Sequence, residues 1–64
     1  MQSLKIDVDF VRDLSTNEAS RHLVRAIVDI AHRFGADTIA EGVEDHRTLE
    51  LLRDYGVDYA QATC

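Results

Sequence analysis

Apolar and polar residues alternate at the start of the chain. Leu4, Ile6 and Val8 are interleaved with Ser3, Lys5 and Asp7, the period-2 signature of a strand over about residues 3–8. Phe10 and Val11 then lead into a polar stretch, Arg12 to Asn17. Beyond it the period changes. Leu23, Ile27, Ile30, Ala31 and Phe34 recur at helical spacing, and Val24 and Val28 widen the apolar stripe. Ser15 and Glu18 have the spacing of a capping box, and Gly35 stands where a helix end needs positive φ. A helix over about 17–34 follows. Thr38-Ile39-Ala40 forms the centre of a second strand, about 37–41, closed by Glu41 and Gly42. Asp45 can cap a second helix, about 45–55, in which Leu49, Leu52 and Tyr55 share one side and Leu51 broadens it; Gly56 stops it. Val57 to Ala62 reads as a third strand.

The segment Phe34-Gly35-Ala36-Asp37 is echoed 21 residues later by Tyr55-Gly56-Val57-Asp58. Each is an aromatic, a glycine, a small apolar residue and an aspartate before a strand, as two helix-to-strand turns of one geometry require. The expected fold is α/β: a βαβαβ unit with parallel strands and right-handed crossovers. Two architectures accommodate it, a slice of a (β/α)8 barrel or a slice of an open doubly wound sheet. Either leaves open strand edges, so self-association through them is possible.

At 64 residues the chain is one small domain or a piece of a larger one. It is 45% hydrophobic and 30% charged, which argues against disorder. A core this small is marginal without a staple, and the single cysteine, Cys64, permits no internal disulfide. The net charge of −5 argues against a nucleic-acid polymer as partner. Arg25, Asp29 and Arg33 interrupt the longest apolar stretch, so no membrane segment fits. With no basic-then-apolar leader in view, a cytoplasmic location is the expectation.

In parallel α/β folds, ligands gather at the carboxyl ends of strands. Lys5, Glu41 and Gln61 each fall near such an end. A lysine can stabilise anionic charge or orient a water. A glutamate can ligate a hard cation or accept a proton from water, and a glutamine can hold a water. Taken singly, Lys5 and Glu41 have plainer readings: a solvated lysine and a Glu-Gly turn. His22, His32 and His46 are too far apart for an i,i+4 metal pair.

Leu4-Lys5-Ile6-Asp7 followed by Phe10-Val11, and Ile39-Ala40-Glu41-Gly42-Val43-Glu44, resemble the two motifs of the bacterial EAL domains. The step of 36 residues from Lys5 to Glu41 and of 20 to Gln61 agrees with that family, and the resemblance covers nearly the whole chain. It implies about three of the eight strands of a TIM-like (β/α)8 barrel, from the C-terminal portion of the domain. It implies part of a phosphodiesterase that hydrolyses cyclic di-GMP to linear pGpG with Mg²⁺ or Mn²⁺. Lys5, Glu41 and Gln61 would be catalytic and Glu41 a metal ligand. Asp7 and Glu44 would be supporting residues on the substrate side. The family's other acidic ligands lie upstream of its lysine motif and are absent here, so the isolated piece is expected to be inactive. Its Gln-Gly-Tyr is replaced by Gln61-Ala62, with Thr63 and Cys64 after. The alternatives are a non-catalytic nucleotide- or protein-binding fragment of cyclic-di-GMP signalling and an enolase-like strand-end metal barrel.

Overall fold

The computed structural model describes residues 2–62. The lone thiol Cys64, and Thr63 before it, lie outside the described residues. Three strands, β1 (Ser3–Ile6), β2 (Asp37–Val43) and β3 (Tyr59–Ala62), form one parallel sheet in the order β1-β2-β3. Helices α1 (Val8–Arg12) and α2 (Glu18–Arg33) separate the first two strands, and α3 (His46–Tyr55) the last two.

The alternation through Val8 overstates the first strand. Pairing with β2 ends at Ile6, and Asp7 caps α1 by accepting the Asp9 N–H at 3.1 Å. The short helix buries Val11, and Leu14 just beyond it is buried too; alternation cannot report that change of period. The cap of α2 also differs from expectation. It is Asn17, not Ser15, whose side chain accepts from Ala19 N and Ser20 N at 2.9 and 3.3 Å. An amide one residue before the first helical position reaches the free N–H groups of the first turn. Asp45 caps α3 by accepting from Thr48 N at 2.8 Å. Hydrogen bonding from the Thr48 side chain, and then from its backbone N–H, holds the Asp45 carboxyl below the usual carboxylate range. The strands also end differently from the pattern, with β2 running on to Val43 and β3 starting at Tyr59.

One core holds the unit together. Ile6, Ala40 and Val43 of the sheet meet Val11, Leu14, Val24, Val28 and Leu52. The buried residues of α2 are Val24, Val28 and Ala31. Leu23, Ile30 and Phe34 are 41%, 54% and 82% exposed. The helix is apolar on two adjacent faces and buries only one. The exposed stripe continues onto the β1 edge, where Ile27, Ile30, Ala31 and Phe34 line an open cleft with Gln2, Leu4 and Ala36. No helix among the described residues is long and apolar enough to cross a membrane.

Candidate functional site

Paired residues in adjacent parallel strands point to the same side of a sheet, and each strand alternates sides. The register aligns Lys5 with Ile39 and Ile39 with Tyr59; one step on, it aligns Ile6 with Ala40 and Ala40 with Ala60. Ile6 and Ala40 belong to the core beneath the helices. Lys5, Ile39 and Tyr59 therefore occupy the opposite face. Two residues further along their strands, Glu41 and Gln61 return to that face, one row nearer the carboxyl ends. Rows on one face are about 6.6 Å apart and strands about 4.8 Å, so Lys5 sits diagonally below Glu41, within reach of its four-carbon stem.

This face is bare. Tyr59 is 58% exposed, Lys5 and Gln61 are exposed, and Ile39 and Glu41 are half-buried. Parallel sheets ordinarily have both faces covered. A face carrying Ile39 and Tyr59 below a polar row has the composition of a barrel interior topped by a polar mouth. Asp7 and Glu44 follow the ends of β1 and β2 directly and are exposed at that same mouth. The Asp7 carboxylate also accepts the α1 capping bond. Among the described residues no three His, Cys, Asp or Glu side chains converge as a metal site requires. Within the strands, Glu41 is the one carboxylate at the carboxyl end of that face, and on its own it does not fit a divalent ion.

Two features escaped the sequence reading. The first is a bulge at Gly42, signalled only by a glycine inside a strand. The second lies at the opposite end of the sheet. Asp58 Oδ2 accepts the Thr38 N–H at 2.8 Å and the Thr38 hydroxyl at 3.0 Å, and lies 2.9 Å from His32 Nε2. Thr38 Oγ1 accepts the Asp58 N–H at 3.1 Å in return. The bond from His32, then that from the Thr38 backbone, holds the Asp58 carboxyl below its ordinary range. This cluster ties α2, the start of β2 and the entry to β3 together. It lies at the amino ends of the strands, where barrels place residues for stability rather than chemistry. The repeated aspartate of the two aromatic-Gly turns was its only trace in the sequence.

A family model described as "EAL domain" matches residues 1–61. Cyclic di-GMP phosphodiesterase PdeL of Escherichia coli is 40% identical over 58 residues, 91% of this chain and 16% of PdeL. The solved EAL domain of Mycobacterium smegmatis DcpA superposes with a TM-score of 0.90 at 39% identity, covering 97% of this chain and 28% of that one. The EAL enzyme Bd1971, solved with cAMP and cyclic di-GMP bound, superposes with a TM-score of 0.93 at 32% identity, over 97% of this chain and 16% of its own. Against three other curated relatives the chain spans 7–10% of their length. The three-stranded sheet is a segment of an α/β barrel.

Proposed function

Because the chain belongs to the EAL domain family, we propose that it supplies part of the active-site mouth of a cyclic-di-GMP phosphodiesterase. The observation that carries this reading is the register that sets Lys5, Glu41 and Gln61 on one uncovered face, toward the carboxyl ends of three adjacent strands. In the reaction a water oxygen bonds to phosphorus, the bond from phosphorus to the 3′-oxygen breaks, and a proton reaches that oxygen. Lys5 stabilises the negative charge that develops on the phosphoryl oxygens and orients the water. Glu41 accepts the water's proton, and Gln61 steadies the water by hydrogen bonds. Asp7 and Glu44 line the rim on the substrate side. Mg²⁺ or Mn²⁺, implied by the family, would take one oxygen ligand from Glu41. The remaining ligands would come from outside these residues, so the 64-residue chain alone is inert.

Grafting residues 2–62 in place of the matched segment of PdeL tests this. The graft is expected to convert cyclic di-GMP to a linear dinucleotide, read by chromatography, while the isolated chain converts none. Glu41→Gln and Lys5→Ala in the graft should each abolish most turnover without lowering its melting temperature. A folded graft that keeps full turnover with Glu41→Gln refutes the assignment. A folded, inert graft that still binds cyclic di-GMP favours the non-catalytic alternative.

A further inference from the structure

The pairing of β2 is not uniform. Against β1 it runs without interruption from Asp37 to Ala40. Against β3 it slips: Ala40 pairs with Ala60 but Val43 with Ala62. Three steps on β2 match two on β3, so Glu41 and Gly42 together oppose Gln61. This is a bulge of one residue, a feature rare between parallel strands and frequent beside functional sites. Its backbone requirement is visible, since Gly42 has φ +79, a conformation that side chains with a Cβ rarely adopt.

The bulge changes which side chains face which way. Thr38, Ala40 and Val43 are the buried residues of β2, spaced by two and then by three. In an unbroken strand Val43 would share the bare face with Glu41, and Glu44 would turn toward the helices. The extra residue returns Val43 to the core, where it is 7% exposed. Glu44 follows directly, exposed just past the end of the strand that carries Glu41. Glu41 is held opposite Gln61, with Glu44 at the same end of the strand.

We propose that Gly42 is a positioning residue: its left-handed backbone sets the direction of Glu41 and Glu44 at the strand ends, and with it the rate of the chemical step. The inference rests on the phosphodiesterase reading above. Gly35 supplies the control. It has φ +74, and a Cβ there meets nothing within 4 Å, so alanine at Gly35 carries comparable backbone strain at the far end of the sheet.

The experiment compares Gly42→Ala, Gly42→Asn and Gly35→Ala in the PdeL graft, measuring kcat, KM and melting temperature with cyclic di-GMP. Gly42→Ala is expected to lower kcat by about 100-fold, the scale of a displacement near 1 Å in a catalytic group. KM should rise by less than kcat falls, because of the two displaced carboxylates only Glu44 lies on the substrate side. Gly35→Ala should lower the melting temperature as much and leave kcat unchanged. Gly42→Asn should recover part of the loss, because asparagine enters the left-handed region more readily than alanine. Equal kcat in Gly42→Ala and Gly35→Ala overturns the proposal. If the unmutated graft is inert, the phosphodiesterase reading falls first and crystallography decides the positional claim. A Gly42→Ala graft that keeps Val43 in the core and Glu41 on the Lys5 face overturns it; a reversal of those faces supports it.

Discussion

Replacing Leu52 with alanine probes how the second βα unit is held. Among the residues of α3, only Thr48 and Leu52 are fully buried, and Leu52 has no exposed surface. Its side chain joins the core that includes Val28, Ala40 and Val43, while Leu49, Leu51 and Tyr55 pack only partly against it. Truncation removes three carbons, about 2.4 kcal/mol of transfer free energy at roughly 0.8 kcal/mol each. The cavity left behind raises the cost to about 3–4 kcal/mol. That approaches the whole of what a core of this size supplies, roughly 3–5 kcal/mol. Amide hydrogen exchange in the PdeL graft reads the effect where it occurs. The α3 amides in Leu52→Ala should exchange on the order of 100-fold faster, while Leu52→Met, which keeps the volume, should cost less than about 1.5 kcal/mol. Exchange of α3 unchanged by Leu52→Ala would refute the view that this side chain docks the helix.

Two further outcomes are expected. Asn17→Ala should destabilise α2 by about 1 kcal/mol in denaturant titration, whereas Ser15→Ala should have no measurable effect, because only the former loses the bonds to Ala19 N and Ser20 N. Asp58 titrates below its ordinary value of 3.8 in the folded chain. Its ionisation therefore stabilises the fold fully above that value, and the contribution is lost as pH falls through the lower, folded-state value. Melting temperatures of the graft followed from neutral to strongly acidic pH should fall less steeply at the acid end for Asp58→Asn.

The strand positions of Lys5, Glu41 and Gln61 were legible because short apolar runs and glycine punctuation locate strands, and strand ends locate chemistry. Their sharing of one face was not, because it depends on register, a tertiary quantity. The α2 helix shows the limit most clearly. Its period was plain, but Leu23, Ile27, Ile30 and Phe34 form as good a stripe as Val24, Val28 and Ala31. Periodicity states that an apolar face exists and is silent on which of two adjacent faces meets the sheet. The Ser15–Glu18 spacing matched a cap that Asn17, nearer the first helical turn, supplies instead. Gly42 looked like the end of a strand because a bulge and a terminus carry the same residue.

The second apolar face of α2 has a practical consequence for anyone producing this segment by itself. Swapping Leu23 or Ile30 for lysine would improve handling in dilute buffer, since both side chains meet water there. The same changes would put a charge on the apolar stripe that runs to the open β1 edge, so a variant chosen for solubility alone also alters the surface that any neighbouring element would meet.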